Sequence, residues 1–433
     1  MSDRGLPDQT GPTGATDACS RGSKDRPLPD GWRWVQLREV CDLNPRRPEL
    51  RREEIALTTF IPMSAVEEGG GGIKRPEQRQ FREVRKGYTY FREGDVLFAK
   101  ITPCMQNGKH AIARGLLNGV GFGSTEFHVL RPREGIISEW ILRFILQPRV
   151  LEEATAYFSG SVGQQRVPED YLLQLRLPLP PLAEQKRIAG ILNEQMASVE
   201  KARAAAEAQL DAAKQLPASF LRAVFNSVVA QQWPKKPIHE VSSVAGGIQK
   251  SPSRAPSVFH RPFLTVRNVQ RGWLDLTNIE RFEITPNELE RCRLQKGDLL
   301  VVEGNGSRDH IGRNAIFNNE IEDCIHQNHV IRVRFDVSKV DSEFISLYLN
   351  SNDGRAQMLE KAKTTTGLYT LSVNKVEELE IPVPHLSEQH SVAARLSEQM
   401  TAVEQTRKAL DAQLAAINAL PAALLRHAFQ GAV

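Results

Sequence analysis

The sequence lacks the cysteine spacing of a metal or disulfide-stapled protein. Its five cysteines are widely scattered and include no Cys-x-x-Cys pair. An odd, dispersed set of this kind fits a reducing compartment better than a disulfide framework. No apolar run approaches the length that spans a bilayer, and the first residues lack the apolar core of a signal peptide. These absences predict a cytoplasmic protein.

Motifs for catalysis are also missing. Asn44-Pro45-Arg46-Arg47 is not the Asn-Pro-Pro-aromatic pocket of an adenine methyltransferase, and Gly119–Gly123 lacks the strand-then-helix setting of a cofactor loop. Gly108-Lys109-His110 has neither the upstream glycine nor the Ser/Thr of a P-loop. Cys324–His329 offers too few ligands for a metal and fits alternating strand residues beside a loop. We therefore expect no cofactor, no metal and no catalysis by the isolated chain.

What remains is an ordinary globular composition with a slight excess of positive charge. The 433 residues are 40% hydrophobic and 25% charged, with a formal net charge of +4. This length has room for two domains plus connecting helices. A mildly basic chain is compatible with a nucleic-acid partner without demonstrating one.

One long stretch occurs twice and organises the rest of the chain. Pro178–Phe225 shifted by 204 positions falls on Pro382–Phe429, and about half of the aligned positions are identical. Both copies open with Pro-x-Pro-x-x-x-Glu-Gln and close with Leu-Arg-x-x-Phe. A repeat of this length predicts two structurally equivalent halves.

Each copy of the repeat predicts one long helix. Proline and acidic residues at the start suit a helix N-terminus, and the interior is rich in good helix formers. We expect Pro217 and Pro421 to break the helices after roughly 37 residues, or about 55 Å. A seven-residue apolar spacing is typical of a paired seam. Its members are Leu396, Val403, Leu410, Ile417, Leu424, Met400 and Leu414 in the second copy, and Leu192, Val199, Ala206, Ala213, Phe220, Met196 and Leu210 in the first.

The segments before the two helices predict the same mixed α/β domain in two versions. Gly94-Asp95-Val96-Leu97 corresponds to Gly297-Asp298-Leu299-Leu300, whereas the loops that follow differ. Equal scaffolds with unequal loops are expected when one fold binds two different targets. The predicted boundaries are 1–28 for a disordered tail, 29–177 for domain one, 178–229 for the central spacer helix, 230–381 for domain two and 382–433 for the C-terminal spacer helix.

These features together resemble the specificity subunit of a type I restriction-modification system. The resemblance rests on the two Pro-x-Pro-x-x-x-Glu-Gln helix starts, the two Leu-Pro…Leu-Arg-x-x-Phe endings and Phe98–Cys104. It implies an α+β fold in which two target recognition domains are separated by two long antiparallel coiled-coil helices with a pseudo-twofold internal repeat. It further implies a non-catalytic subunit that reads a bipartite, asymmetric double-stranded DNA site, one domain per half-site.

The same resemblance implies the partners. Two adenine-methylating modification subunits would dock on the spacer helices, and ATP-dependent restriction subunits would join through the complex. Connectivity alone already favours the antiparallel pair, because helix one leads into domain two and a fully paired helix two must run back.

Candidate DNA contacts follow from the chemistry of major-groove recognition. Arg and Lys suit guanine, Asn and Gln suit adenine, Ser and Thr suit either, and a carboxylate such as that of Glu303 can accept from cytosine. Lys74 and Arg75 are assigned to phosphates. The remaining candidates are Lys100, Thr102, Gln106, Asn107, Lys109, Gln164, Gln165 and Arg166 in domain one, and Asn305, Ser307, Arg308, Arg313, Gln327, Asn328, His329, Thr365, Thr366 and Tyr369 in domain two.

The alternative function is a non-catalytic adaptor with two domains and a coiled coil that binds only proteins. Such an adaptor would expose aromatic and aliphatic anchors on its loops. The loops of this chain instead carry amides, hydroxyls and cations, which favours the DNA-binding hypothesis.

Overall fold

The computed structural model describes residues 27–70, 72–160, 165–304, 310–362 and 369–432. The predicted disordered tail therefore lies outside the described residues up to position 26. The chain divides into two compact units. Unit 1 contains residues 1–204 and 415–433, and unit 2 contains residues 205–414. Each unit thus holds one predicted domain together with parts of both long helices.

Unit 1 is built from short strands and helices that precede the first long helix. In chain order they are β1 (Arg33–Gln36), α1 (Leu37–Val40), β2 (Cys41–Leu43), β3 (Leu57–Ile61), β4 (Glu77–Gln80), α2 (Phe81–Val84), β5 (Thr89–Arg92), β6 (Val96–Ala99), β7 (His110–Ile112), β8 (Val120–Gly123), β9 (Phe127–Pro132), α3 (Ser138–Ile145), α4 (Pro148–Ala156), α5 (Glu169–Gln174), β10 (Arg176–Leu179) and the long helix α6 (Leu182–Phe225).

Unit 2 repeats this order after the first long helix. Its elements are α7 (Val228–Gln231), β11 (Lys235–Pro237), β12 (Ser242–Ala245), β13 (His260–Leu264), β14 (Glu280–Glu283), α8 (Pro286–Cys292), β15 (Asp298–Val302), β16 (Asn314–Phe317), β17 (Ile325–His326), β18 (Val330–Phe335), α9 (Ser342–Asn350), α10 (Asn352–Ala362), α11 (Val373–Glu377), β19 (Glu380–Pro382) and the long helix α12 (Leu386–Ala428).

The sheets of the two units have matching topology. The order β2-β9-β6-β7 in unit 1 is matched by β12-β18-β15-β16 in unit 2, and β1-β10 is matched by β11-β19. Unit 1 also has a β4-β3-β8-β5 sheet, and the corresponding sheet of unit 2 has three strands among the described residues, in the order β14-β13-β17. The parallel pairings β3–β8 and β13–β17 are equivalent. The internal repeat therefore extends through both domains, as the weaker sequence matches predicted.

A buried aspartate with an arginine partner explains why the Gly-Asp turn is present in both domains. Asp95 and Asp298 are each 1% exposed. Arg131 donates from Nε and Nη2 to the two oxygens of Asp95 at 2.9 and 2.7 Å, and Arg334 makes the same bidentate contact with Asp298 at 2.7 and 2.7 Å. Such a pair satisfies the buried carboxylate and joins the turn to the last strand of its sheet.

The glutamine of each Pro-x-Pro-x-x-x-Glu-Gln motif attaches a long helix to its domain. Gln185 is fully buried; its Oε1 accepts from Ile137 N–H at 3.0 Å, and its Nε2 donates to the carbonyls of Gly135 and Pro180 at 2.8 and 2.9 Å. In unit 2 the equally buried Gln389 bonds in the same way to Asp341 N–H and two carbonyls. The repeated motif is therefore a hydrogen-bonded anchor.

Each unit contains the start of one long helix and the end of the other. In unit 1, Leu192 near the start of α6 and Phe429 just beyond α12 join one core, where the Phe429 ring lies 4.4 Å from that of Trp140. In unit 2, Leu396 near the start of α12 and Phe225 at the end of α6 share the corresponding core. This opposite order is what antiparallel helices require, so the predicted fold class is confirmed.

The prediction that proline ends both long helices was wrong. Helix α6 runs for 44 residues through Pro217, and α12 runs for 43 residues through Pro421, so each is about 65 Å long. An internal proline removes one backbone hydrogen bond at a cost of about 3 kcal/mol. Leu221 and Phe225, which follow Pro217, are buried in the core of unit 2, and this packing offsets the lost bond.

The predicted apolar stripe is largely covered along both helices. Val199, Ala206 and Leu210 of α6 are at most 8% exposed, and Val403 and Leu414 of α12 are half-buried. Within the described residues, neither long helix nor any shorter one has an apolar stretch sufficient to cross a membrane.

Candidate nucleic-acid interface

The loop after β6 presents two amide side chains from a compact, anchored turn. Asn107 N–H donates to the carbonyl of Pro103 at 3.0 Å and Lys109 N–H donates to that of Cys104 at 3.0 Å, so the loop winds tightly. Met105 is fully buried beneath it, which fixes the turn to the core. Gln106 and Asn107 are exposed as a result.

The exposed amides of this loop already have partners at its surface. Thr102 Oγ1 donates to Gln106 Oε1 at 2.6 Å, and Asn107 Nδ2 donates to Glu68 Oε1 at 2.8 Å. Glu68 belongs to a glycine-rich turn, and Gly69 N–H of that turn donates to the carbonyl of Asn107 at 2.9 Å. The turn and the loop therefore form one continuous polar surface.

The two residues assigned to phosphates lie beyond this turn and are solvent-exposed. Lys74 forms an ion pair with Glu67, and Arg75 adopts a positive φ of 57°. An exposed surface ion pair of this kind contributes little stability, so its opening costs little. Lys74 can therefore exchange Glu67 for another anion.

Three charged residues converge where β6 ends and β9 begins. Arg166 donates from Nε and Nη2 to the two oxygens of Glu126 at 2.8 and 2.7 Å, and this contact holds the pKa of Glu126 below its usual value. Lys100 N–H donates to the carbonyl of Glu126 at 2.9 Å, and Thr102 N–H donates to that of Gln165 at 3.1 Å. The predicted Lys100, Gln165 and Arg166 are thus brought together, around a carboxylate that the sequence analysis did not select.

A cleft of about 340 Å³ lies beside these charged residues. Sequence reasoning missed Asn44 and Arg47 in its wall, because their segment was considered only as a failed methyltransferase motif. Asn44 has a positive φ of 46°, accepts from Val129 N–H at 2.8 Å and donates to Glu169 Oε1 at 2.8 Å. The lining residues are Asn44, Pro45, Arg47, Thr89, Tyr90, Lys100, Thr125, Phe127 and Val129.

Several predicted contacts of both domains fall outside the described residues. They are Gln164 in unit 1 and Asn305, Ser307, Arg308, Thr365 and Thr366 in unit 2. Tyr369 is half-buried at the edge of one of these segments. Its neighbour Thr370 donates its N–H to the carbonyl of Ala362 at 3.0 Å.

Arg313 points its guanidinium into unit 2. Nη2 donates to the carbonyl of Val266 at 2.8 Å and Nη1 donates to Gln270 Oε1 at 3.1 Å, while burial lowers the pKa of the side chain. The contacts join Arg313 to a hairpin whose exposed tip carries Trp273. In this arrangement Arg313 supports a loop from below rather than presenting its charge.

Gln327, Asn328 and His329 form the connection between β17 and β18. Gln327 N–H donates to the carbonyl of Leu264 at 2.8 Å, which fixes the start of the connection. His329 is exposed, and its Nδ1 lies 2.5 Å from Glu303 Oε2 at the end of β15. The structure therefore pairs a predicted histidine with the carboxylate that the sequence analysis linked to cytosine.

Potential metal ligands do not converge in the part of the chain that the structure describes. Groups of three or more His, Cys, Asp or Glu side chains in metal-binding geometry are absent there. Cys324 and His326 are buried in unit 2, where burial lowers the pKa of His326 to about 4. They are core residues beside the polar connection described above.

Comparison with known proteins gives the family. A family model described as the type I restriction modification DNA specificity domain matches residues 29–206 and, a second time, residues 238–413. The two matches cover most of the chain and coincide with its two halves. The chain belongs to this family.

Individual relatives agree with the family match. The type I restriction enzyme EcoEI specificity subunit of Escherichia coli is 36% identical over 214 residues, which are 49% of this chain and 36% of that protein. The alignment therefore spans only about a third of that relative.

Two solved structures show the same fold. A chain from a structure on complex assembly and conformational transition of the type I R-M system gives a TM-score of 0.74 at 21% identity, covering 94% of this chain and all of that one. The HsdS subunit from Thermoanaerobacter tengcongensis gives a TM-score of 0.65 at 21% identity, covering 95% and 99% of the two chains.

Proposed function

We propose that this chain is the DNA-binding specificity subunit of a type I restriction-modification complex and that it is not itself a catalyst. One domain, 29–177, would read the first half of a bipartite, asymmetric site, and the other, 230–381, would read the second half. The segments 178–229 and 382–433 would serve as the spacer that separates the two readers. Such a subunit would act in the cytoplasm.

The observation that carries this proposal is the contrast between conserved scaffold and altered loops within one chain. The ion pairs Asp95–Arg131 and Asp298–Arg334 are geometrically equivalent. The polar loops that follow them are not, since Lys100–Lys109 is replaced by an unrelated sequence after Glu303. One scaffold that carries two polar loop sets is suited to reading two different DNA sequences.

The partners proposed for the chain follow from the family. Two modification subunits would dock on the spacer helices and methylate adenine, and the restriction subunits, an ATP-dependent translocase and nuclease, would join through this complex. Helices α6 and α12 support this role because their outward surfaces carry polar residues over most of their length.

The experiment that tests the function is a methylation map. The chain is co-expressed with its modification subunit, and the methylated adenines of the host DNA are located by sequencing. The proposal expects one bipartite motif with two different halves. The purified chain alone, given S-adenosylmethionine and DNA, is expected to transfer no methyl groups, and methylation by the chain alone would contradict the proposal.

A variant tests the division of labour between the domains. Gln165→Ala with Arg166→Ala should relax the first half-site by roughly 1–3 kcal/mol per lost base contact and leave the second unchanged. If the second half-site changed instead, the assignment of this loop would be wrong. An adaptor that binds only proteins would yield no methylated motif in either form of the chain.

A further inference from the structure

The ends of β6 and β15 carry polar side chains at equivalent positions. Lys100 N–H donates to the carbonyl of Glu126 at 2.9 Å, and Glu303 N–H donates to the carbonyl of His329 at 3.0 Å. Each donor directly follows its strand, and each acceptor directly precedes β9 or β18. Lys100 therefore corresponds to Glu303, and Glu126 corresponds to His329.

A third position completes the match. Arg166 N–H donates to the carbonyl of Ser159 at 2.9 Å, as Thr370 N–H does to that of Ala362 at 3.0 Å. The residue that follows each of these donates back to the strand end: Val167 N–H donates to the carbonyl of Lys100 at 2.9 Å, and Leu371 N–H donates to that of Glu303 at 2.7 Å. Arg166 therefore corresponds to Thr370.

The chemistry at these matched positions is exchanged between the domains. At the strand end, domain one has the ammonium of Lys100 and domain two has the carboxylate of Glu303. At the start of the last strand, domain one has the carboxylate of Glu126 and domain two has the imidazole of His329. In domain one the carboxylate of Glu126 contacts Arg166, which holds the third matched position, at 2.7 Å, and in domain two the carboxylate of Glu303 contacts His329 at 2.5 Å.

We propose that each cluster reads one G·C base pair and that the guanine lies on opposite strands relative to the two domains. This inference rests on the proposed function. In the major groove, guanine offers the acceptors O6 and N7, whereas cytosine offers an N4 donor. A nitrogen donor adjacent to a carboxylate complements both bases of one pair. Because the ammonium of Lys100 and the carboxylate of Glu303 share one position, and the carboxylate of Glu126 and the imidazole of His329 share the other, the orientation of the pair that fits is reversed.

The spacing of the side chains supports reading as a pair. The guanine O6 and cytosine N4 groups are themselves hydrogen-bonded, so they lie roughly 3 Å apart. Contacts of 2.5 to 2.8 Å in the protein bring the complementary groups to a comparable spacing. The bidentate contact also fixes the guanidinium plane of Arg166 before DNA arrives, which reduces the entropy lost on binding.

The test transplants the second cluster into the first domain. The variant Lys100→Glu, Glu126→His, Arg166→Thr is co-expressed with the modification subunit, and the methylated motif is mapped. We expect one base pair of the first half-site to change from G·C to C·G, with the second half-site unchanged. Methylation at the original motif should fall at least tenfold. An unchanged motif, or a change confined to an A·T pair, would overturn the proposal.

A milder variant covers the possibility that the triple variant does not fold. Glu126→Gln keeps the size of the side chain and removes its charge, so it should reduce discrimination at the same single base pair at least fivefold. The matched control is Glu139→Gln, which breaks the contact of Glu139 with Arg114 in the same domain. Glu139 adjoins Ser138, which bonds to Gly94 at the opposite end of β6, so the motif should not change.

The outcomes separate this proposal from the function on which it rests. If the unaltered complex methylates no bipartite motif, the proposed function fails. If it methylates a bipartite motif in which one half has no G·C pair, only the reading proposed for the clusters fails. The reading proposed for the clusters also fails if the complex with the Glu126→Gln variant methylates the original motif with undiminished selectivity, because the Arg166–Glu126 ion pair would then be structural.

Discussion

The strongest stability prediction concerns the buried glutamine that attaches the first long helix to its domain. In Gln185→Ala, three backbone groups lose their partner: the N–H of Ile137 and the carbonyls of Gly135 and Pro180. Gly135 is exposed and Pro180 is buried, so water can replace one partner but not the other. Ile137 is half-buried, so access of water to its N–H is intermediate between these two cases.

The expected cost follows from these differences in burial. A buried polar group left without a partner costs about 1–3 kcal/mol, and contributions from groups that share one side chain are not additive. The removed side chain also leaves a cavity in a fully buried position. We expect Gln185→Ala to lower the free energy of unfolding of unit 1 by roughly 3 kcal/mol, and Gln389→Ala to have a similar effect on unit 2.

The assay is urea unfolding followed by tryptophan fluorescence, with hydrogen exchange to locate the change. Trp140 reports on unit 1 because its ring packs against Phe429 and its Nε1 donates to the carbonyl of Pro178 at 2.9 Å. The control Gln195→Ala lies on the same helix at an exposed position and should change stability by less than about 0.5 kcal/mol. Equal unfolding midpoints for Gln185→Ala and Gln195→Ala would refute the anchoring role.

Two further predictions concern the repeat and the pH dependence of stability. The half-chain 29–229 lacks Phe429, which packs on Trp140, but a second copy can supply Phe225 from the matching position. Light scattering should therefore find a homodimer, and its complex with the modification subunit should recognise a palindromic site. A folded monomer at micromolar concentration would contradict the pairing of the helices. Burial lowers the pKa of His110 to about 3 and that of His326 to about 4. On acidification the two histidines bind protons in the unfolded chain at a higher pH than in the folded chain. Their contribution to the free energy of unfolding should therefore be fully present above about pH 6.5. It should fall by up to about 1.4 kcal/mol per pH unit per histidine toward pH 4. In urea titrations at several pH values, His110→Asn should make this fall shallower for unit 1, and an unaltered slope would exclude His110 as a cause.

The large features of the fold could be predicted because they are repeated in the sequence. The 204-residue shift of the helices and the two Gly-Asp turns fixed the plan of two equivalent domains. The repetition shows which residues recur, but it does not show what they do. The neighbouring sequence does not indicate that Gln185 bonds to Gly135, 50 residues earlier, or that Asp95 pairs with Arg131. The error at Pro217 has a similar origin, since the burial of Phe225 that offsets the lost hydrogen bond is a tertiary effect.

The candidate interface was less predictable, because polar loop residues do not reveal their partners. Arg166 and Arg313 were chosen for the same chemical reason, yet one pairs with Glu126 beside a cleft and the other donates to the carbonyl of Val266. The acidic partners show the same difficulty. The sequence analysis considered Glu303 as a cytosine contact but did not consider Glu126, because the sequence does not show that Glu126 lies beside Arg166.

Comparison of the two halves by backbone hydrogen bonds recovers what residue identity conceals. Lys100 and Glu303 have opposite charges, and Glu126 is a carboxylic acid whereas His329 carries an imidazole. Their N–H and carbonyl groups nevertheless make the same bonds in the same order along the same strands. If the two domains arose from one pattern, the positions where chemistry is exchanged while hydrogen bonding is kept are those where the scaffold tolerates change. A protein that must read two different half-sites with one scaffold requires positions of this kind, and a methylation map of the Glu126→Gln variant can reveal whether the chain uses them.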